Sequence, residues 1–240
     1  MERASKELIS NLKKQKREKS LLFLDNVKII KDALPHINVK MILTTVETLP
    51  FDVGDIKVYK TDAKTIEMLA DTVTPQGVLC VAEFKKQDKA VPNGNFLVLD
   101  TLQDPGNVGT LIRTSVACDF GAVFLVDCVH VTNPKLIRSS VGAVFNQKIY
   151  EMSKEEFVKF AILNNLPLAK CDMNGENIFT KKFEKPIGIV VGNEGQGVSE
   201  EISKLSKISL SIPMKGNIES LNAGVSGSII MYQIAKENLI

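Results

Sequence analysis

The sequence predicts an α/β protein in two domains, residues 1–88 and 89–240, with a parallel sheet in the second. Short apolar runs rich in Val, Ile and Leu alternate with segments of helical periodicity, which is the pattern of strands joined by crossover helices. Three of these runs end in turns rich in Gly and Asn. A charged and then Pro- and Gly-containing stretch, Lys85–Asn95, separates the two series of elements and is the predicted linker.

The first domain is predicted as a compact unit of helices and strands. Its opening helix has Leu8, Ile9 and Leu12 at helical spacing and a basic outer face. Pro35 ends the second helix, and Thr61 is the expected N-cap of the third. The predicted elements are helix Met1–Lys19, strand Leu21–Leu24, helix Val27–Leu34, strands Lys40–Thr44 and Ile56–Tyr59, helix Ala63–Ala70 and strand Gly77–Phe84.

The second domain is predicted to alternate strands and helices to its end. The predicted strands are Phe96–Asp100, Ala122–Val126, Leu168–Cys171, Ile187–Val191 and Ile208–Ile212. The predicted helices are Val108–Cys118, Pro134–Ser139, Lys154–Leu163, Ser199–Leu205 and a long final helix from about Glu219 to Glu237. One face of that last helix is unusually small, which is compatible with a tight dimer contact; its residues are Gly224, Ser226, Gly227 and Ser228.

Composition excludes several classes of protein. With 240 residues, 44% of them hydrophobic, the chain can bury a sizeable core. No apolar run approaches the ~20 residues needed to span a bilayer, and the first residues lack the apolar centre of a signal peptide. The four cysteines form no CxxC pair, and there are only two histidines. We therefore expect no membrane segment, no metal site and a reduced, cytoplasmic setting.

Charge is unevenly distributed along the chain. Residues 1–40 contain ten Lys and Arg against five Asp and Glu, a balance of +5, although the whole chain carries only +2. The remaining 200 residues therefore sum to −3. A basic first segment on a near-neutral body indicates a polyanionic partner such as nucleic acid. The solvated face of a helix is an equally good explanation of the same charges.

The first Gly- and Asn-rich turn is DPGNVGTLIR (Asp104–Arg113). Asn107 is placed to cap the helix that follows. Gly109 removes a side chain on the first helical turn, so that a backbone or a ligand can approach closely. Arg113 lies nearly two turns further on, and its guanidinium could reach back toward the turn. A capped helix with a surface arginine would also explain this stretch.

The second turn, GNEGQG (Gly192–Gly197), reads GxxGxG and is not the GxGxxG fingerprint of dinucleotide sites; the chain also has no GxxxxGK[ST] phosphate loop. Glu194 has no packing reason to lie between glycines, so we expect it to face a ligand. The third stretch is IPMKGNIESLNAG (Ile212–Gly224), in which Pro213 and Gly216 bend the chain out of a strand. Ligands collect beyond the carboxyl ends of parallel strands, so the three turns predict one composite pocket.

Together these residues resemble the TrmH-like ribose 2′-O-methyltransferases of the SPOUT superfamily. The shared features are Asn107, Gly109 and Arg113 of the first turn, GNEGQG, and the IPM and SLN segments of the third stretch. NPKLIRSSVGA between the first two turns and TPQGVL (Thr74–Leu79) in the first domain also match. The sequence departs from the family at Asp25-Asn26, where Glu-Gly is usual, and in SLNAGVS, where many members have SLNVSVA.

The resemblance implies a trefoil knot in the second domain, a homodimer, and an RNA-binding role for the first domain. It implies S-adenosylmethionine as the cofactor, no metal, and RNA as the substrate, with ribosomal RNA favoured. The implied cofactor-binding residues are Gly192, Ile212, Met214, Leu221 and Asn222. The implied catalytic residues are Arg113, Asn107, Glu194 and Ser220.

The family mechanism gives the role of proton acceptor to the arginine that matches Arg113. Freeing a guanidinium of its proton at pH 7 spans about six pK units, or roughly 8 kcal/mol. An anchor for the target phosphate that also stabilises the developing alkoxide is therefore at least as good a role for this residue. Asn107, Glu194 and Ser220 would then orient Arg113 and the ribose.

Other functions remain open on the sequence alone. A non-catalytic RNA-binding protein of the same fold would keep the basic first segment. A methyltransferase acting on transfer RNA, or on a base atom instead of the ribose, would share most of the motifs. A nucleotide-dependent oxidoreductase or kinase is disfavoured, because both phosphate-binding fingerprints are missing.

Overall fold

The computed structural model describes residues 1–18, 21–85, 87–184, 186–216 and 220–239. The chain divides into two compact units, residues 1–86 and 87–240, each with its own sheet. The described residues of the linker stretch Lys85–Asn95 form no regular helix or strand. No helix among the described residues is long and apolar enough to cross a membrane.

The described part of the first unit forms a five-stranded mixed sheet with helices packed against it. The strand order is β1-β4-β3-β5-β2; β1, β4 and β3 are parallel, while β5 runs antiparallel to both of its neighbours. Its elements in chain order are β1 (Glu2–Arg3), α1 (Lys6–Arg17), β2 (Leu22–Leu24), α2 (Val27–Ala33), a 3₁₀ turn (Leu34–His36), β3 (Ile37–Thr44), β4 (Val58–Lys60), α3 (Ala63–Leu69) and β5 (Val78–Phe84).

Two details predicted for this unit are wrong. The opening helix does not start at the first residue: residues 2–3 pair with β4 as strand β1, and α1 follows Ser5, whose side chain accepts the Leu8 N–H. Asp62, not Thr61, caps α3, since its carboxylate accepts the Thr65 N–H at 2.7 Å. A carboxylate is a stronger acceptor than a hydroxyl and is favoured at a helix N-terminus.

The described part of the second unit is built on six strands that are all parallel, which confirms the predicted fold class. Its elements in chain order are β6 (Phe96–Asp100), α4 (Pro105–Ala117), β7 (Ala122–Val126), α5 (Pro134–Ser139), α6 (Ala143–Asn146), β8 (Ile149–Met152), α7 (Lys154–Leu163), β9 (Leu168–Asn177), β10 (Gly188–Val191), α8 (Glu200–Leu205), β11 (Ser206–Ser211) and α9 (Ala223–Leu239).

The strand order β11-β9-β10-β6-β7-β8 reverses direction between β6 and β10. From β6 the chain builds outward through β7 and β8, and then returns to fill the other side. All residues of β6, β7 and β10 are buried, because helices cover both faces of a parallel sheet. The gap opened where strand order reverses is the usual place for a ligand in this class of fold.

The structure corrects the predicted elements at three points. Helix α6 and strand β8 were not predicted; β8 is a four-residue edge strand in which only Tyr150 and Met152 are buried. Strand β9 continues six residues past Cys171, to Asn177. The final helix begins at Ala223 and not near Glu219, so the Ser-Leu-Asn segment precedes it.

Candidate functional site

The carboxyl ends of β10 and β11 and the middle of β9 surround a cavity of about 550 Å³. That volume falls in the range of about 300–1,000 Å³ that is typical of small-molecule sites. The lining comes from four segments: the bulged part of β9, the loop after β10, the stretch after β11 and the first turns of α9. The described lining residues are Lys170–Met173, Val191–Val198, Leu210–Ile212, Met214, Ser220, Leu221, Ala223, Ser226 and Ile230.

The loop Gly192–Val198, called the β10 loop below, is a tight turn organised by Asn193. Its backbone exchanges two hydrogen bonds with Gly197, at 3.0 and 2.8 Å. The Asn193 carboxamide oxygen accepts the N–H groups of Gly195 at 2.9 Å and Gln196 at 3.2 Å. A Cβ on Gly192 would overlap the backbone of Gly197, so only glycine fits the first position of this turn.

Strand β9 supplies a wall of the cavity that the sequence did not reveal. Its pairing with β11 jumps from Lys170 opposite Ser209 to Glu176 opposite Leu210, so residues 171–175 bulge out of the ladder. The Lys170 ammonium lies 3.1 Å from the Asp172 carboxylate and 2.9 Å from the Ser203 hydroxyl.

Two groups in this β9 wall have shifted pKa values. A backbone hydrogen bond from Asn174 and the nearby Lys170 lower the pKa of Asp172, which holds it ionised. Burial raises the pKa of the Cys171 thiol to about 12, so the thiol stays protonated near neutrality. The wall therefore presents one ion pair and a neutral thiol to the cavity.

The third predicted turn closes the cavity from the other side. Ile212, Met214, Ser220 and Leu221 all line it; residues 217–219, within the same stretch, lie outside the described residues. Asn222 is not among the lining residues. Its side-chain oxygen accepts the Val225 N–H at 3.2 Å and so caps the start of α9. The predicted contact of Asn222 with a cofactor stays a prediction.

The first predicted turn does not line the cavity, which corrects the expectation of a pocket made by all three turns. It is linked to the lining by the Asn107 amide, which donates to the Glu194 carboxylate at 2.7 Å. Asn107 is therefore not the cap of α4. Asp104 is the cap, because Pro105 occupies the first helical position and the Asp104 oxygen accepts the Gly106 N–H at 3.1 Å.

Arg113 is exposed on α4. The structure does not bring its guanidinium into the cavity of this chain. Gly109, one turn earlier, faces the backbone of α5, where a Cβ would lie 2.7 Å from the Leu136 carbonyl oxygen. The close approach predicted at Gly109 is thus made by a helix and not by a ligand.

Part of the small face of α9 makes close contacts within the chain, and its interpretation as a dimer contact stays a prediction. A Cβ on Gly227 would lie 2.5 Å from Leu111 and 3.0 Å from Val191. The Ser228 hydroxyl lies 3.0 Å from the Thr114 hydroxyl of α4. The small residues therefore let α9 pack tightly against α4 and β10.

Six of the nine predicted site residues line the cavity together: Gly192, Glu194, Ile212, Met214, Ser220 and Leu221. Asn107 joins them through its hydrogen bond, whereas Asn222 and Arg113 lie outside the lining. The residues of the β9 wall are among those that were not predicted, and no turn motif marks them. Among the described residues no group of three His, Cys, Asp or Glu side chains is placed to hold a metal ion.

Comparisons with known proteins agree with this architecture. The sequence profile of the SpoU rRNA Methylase family matches residues 94–232. The 23S rRNA (guanosine(2553)-2′-O)-methyltransferase RlmP of Bacillus subtilis is 28% identical over 228 residues, which cover 92% of this chain and 91% of that protein. An uncharacterized tRNA/rRNA methyltransferase of Synechocystis sp. is 29% identical over 75% of this chain and 67% of its own length.

The fold also has close structural neighbours. The crystal structure of the SpoU methyltransferase AviRb from Streptomyces viridochromogenes in complex with AdoMet superposes with a TM-score of 0.86. The match covers 98% of this chain and 99% of that one at 21% sequence identity. At this identity the likeness establishes the shared fold.

Proposed function

Since the chain belongs to the SpoU rRNA Methylase family, we propose that it transfers a methyl group from S-adenosylmethionine to a ribose 2′-hydroxyl of RNA. Ribosomal RNA is the favoured substrate, because a relative that matches over nearly the whole chain is named for 23S rRNA. The observation that carries the proposal is the cavity of about 550 Å³, in which two of the family's three motifs meet beside the strand reversal.

The lining suits an amino-acid nucleoside that bears a sulfonium charge. Apolar side chains such as Ile212 and Leu221 offer a surface for an adenine ring. Lys170 can pair with a carboxylate, and Asp172 and Glu194 can face positive charge. We propose that Gly192, Ile212, Met214 and Leu221 bind the cofactor together with the β9 wall. When bound, S-adenosylmethionine supplies an already activated methyl group, so the chemistry needs no metal.

The protein must then orient the ribose oxygen and accommodate the loss of its proton. We propose that Ser220 and Glu194 orient the ribose and that Asn107 holds the Glu194 carboxylate in place. Arg113, exposed on α4, binds an RNA phosphate, and the hydroxyl proton passes to water. The cost of about 8 kcal/mol for a neutral guanidinium at pH 7 argues against Arg113 as the proton acceptor.

We propose that the first unit binds RNA through the outer face of α1. Lys13, Lys14 and Arg17 are exposed there, and phosphate binding needs accessible cations. Lys16 is not part of this surface. Its ammonium donates to the carbonyl oxygens of Leu69 and Ala70 at 2.7 and 2.8 Å.

We also propose a homodimer, a knotted second unit and a cytoplasmic location. The dimer is supported by a groove of about 430 Å³ on the outer side of α9, where Phe179 and Tyr232 are half exposed. The knot is supported by the path of the chain, because β11 lies at the sheet edge whereas α9 returns to pack on β10 and α4. Free thiols at all four cysteines fit a reducing compartment.

Mapping ribose methylation across total RNA from a strain that lacks the gene tests the proposal. We expect one or a few 2′-O-methyl groups to disappear, to return with the wild-type gene, and not to return with Arg113→Ala. An unchanged methylation map would refute ribose methylation and favour a non-catalytic RNA-binding protein. Loss of the mark from transfer RNA would support the alternative substrate, which the name of the Synechocystis relative also includes.

A further inference from the structure

The β10 loop is fastened to the end of β6 at two points. At its far end the Ser199 N–H donates to the Asp100 carboxylate at 2.7 Å. At its near end the Asn193 amide donates to the Thr101 carbonyl oxygen at 3.0 Å. Asp100 and Thr101 are consecutive, so one short segment holds both ends of the loop that lines the cavity.

Asp100 lowers the stability of the fold at this position, because its carboxylate is removed from water. It is fully buried, and one of its carboxylate oxygens has no hydrogen-bond partner among the described residues; neither has the hydroxyl of Ser199. Most buried polar atoms in folded proteins are paired, and an exception calls for a specific reason. A carboxylate that serves only to stabilise the fold would be expected to use both oxygens.

Thr101 is held in an unfavourable backbone conformation at the same place. Its φ of +59° lies in the left-handed region, which a β-branched residue rarely adopts. The conformation is fixed by the Thr101 N–H, which donates to Val126, and by the Thr101 hydroxyl, which donates to the Asp100 carbonyl oxygen at 2.8 Å. Such strain persists only where surrounding contacts maintain it, and it concentrates at functional sites.

We propose that Asp100 and Asn193 are positioning residues that hold the β10 loop in the shape that accepts S-adenosylmethionine. Asp100 acts through the Ser199 amide, and Asn193 acts through the Thr101 carbonyl oxygen. This inference rests on the proposed function. Because the two anchors shape the cavity, their loss weakens cofactor binding even in a chain that remains folded.

Calorimetric titration of the full chain with S-adenosylmethionine tests this role. Asp100→Ala removes the oxygen that accepts the Ser199 N–H. Asn193→Ala removes the bond to Thr101 together with the oxygen that organises the turn. We expect each variant to bind at least tenfold more weakly at wild-type stoichiometry. Asn193→Asp, which keeps the oxygen that organises the turn and loses the donor to Thr101, gives the same weakening if Asn193→Ala does not fold.

One further variant separates positioning from stability. Asn164→Ala is the matched control, because the Asn164 amide also donates to a backbone carbonyl oxygen, that of Phe160 at 2.8 Å, away from the cavity. We expect it to bind as the wild type does.

The outcomes distinguish this inference from the proposed function. No binding of S-adenosylmethionine by the wild-type chain refutes the proposed function. Wild-type binding with variants at the Asp100 and Asn193 positions that bind equally tightly refutes the positioning role. Variants with reduced stoichiometry and an unchanged Kd also refute it, because that result means only that less of the chain is folded.

Discussion

Removing the amide of Asn107 should lower the rate of methyl transfer through Glu194. The Asn107–Glu194 hydrogen bond is 2.7 Å long and has a charged acceptor, a type that contributes about 1.5–3 kcal/mol. Asn107 is buried but Glu194 is exposed, so the lower end applies. About 1.5 kcal/mol corresponds to a reduction of about 12-fold in kcat/KM for Asn107→Ala.

A double-mutant cycle measures whether the two residues act as a unit. The assay follows transfer of a labelled methyl group to RNA by Asn107→Ala, Glu194→Ala and the double variant. We expect the double variant to be no slower than the slower single variant, with a coupling free energy of about 1.5 kcal/mol. Thr110→Ala is the control, since it removes only a local bond on the same helix. Reductions that multiply in the double variant would show that the bond has no part in the reaction.

Three further results are expected from the same structure. Lys13→Ala and Lys14→Ala should each reduce the slope of log affinity for ribosomal RNA against log salt concentration by about one unit. Lys16→Ala should lower Tm and leave this slope unchanged, and a lower slope for Lys16→Ala would contradict its structural role. Gly109→Ala should lower Tm by several degrees, because a Cβ there meets the α5 backbone and overpacking costs about 1–3 kcal/mol. Gly195→Ala, whose Cβ would make only an ordinary contact with Asn193 at 3.6 Å, should leave Tm unchanged. Burial raises the pKa values of the four cysteine thiols to about 11 or 12. A thiol reagent should therefore modify them at least tenfold more slowly at pH 8 than after unfolding, and the rate should increase about tenfold for each pH unit above 8. Fast stoichiometric modification at pH 8 would refute this.

The sequence predicted the strands of the second unit well because their pattern is local. A buried strand such as Phe96–Asp100 or Ala122–Val126 is a continuous apolar run, and both were predicted with the observed bounds. Strand β8 escaped because an edge strand needs few buried residues, and only Tyr150 and Met152 provide them. Its presence depends on pairing with β7, a contact distant in the sequence.

The candidate site was predictable where turn chemistry marks it. Glycines and asparagine identified the β10 loop, because only certain residues fit so tight a turn. The β9 wall could not be predicted in this way. Its bulge exists because Lys170 and Glu176 pair with adjacent residues of β11, and this register is decided by the sheet as a whole. The caps at Asp62 and Asp104 were missed by one and three residues, since several nearby polar side chains could have served.

A short-range pattern does not identify its tertiary partner. The small residues of α9 indicated close helix packing, and Gly227 and Ser228 make such a contact with α4 of the same chain. Asn107 had the residue type of a helix cap, yet it lies in the first turn of α4, and its amide donates a hydrogen bond to a loop distant in the sequence. In both cases the local chemistry was correct and the tertiary partner could not be inferred.

Analysis of the methylated nucleoside tests the central claim most directly. The full chain is incubated with S-adenosylmethionine labelled in its methyl group and with total RNA from the strain that lacks the gene, and the RNA is then hydrolysed with alkali. We expect the label in an alkali-stable dinucleotide, because a methylated 2′-oxygen cannot attack the neighbouring phosphate. Label in an ordinary mononucleotide, which means methylation of a base, or no transfer to any RNA would contradict the account.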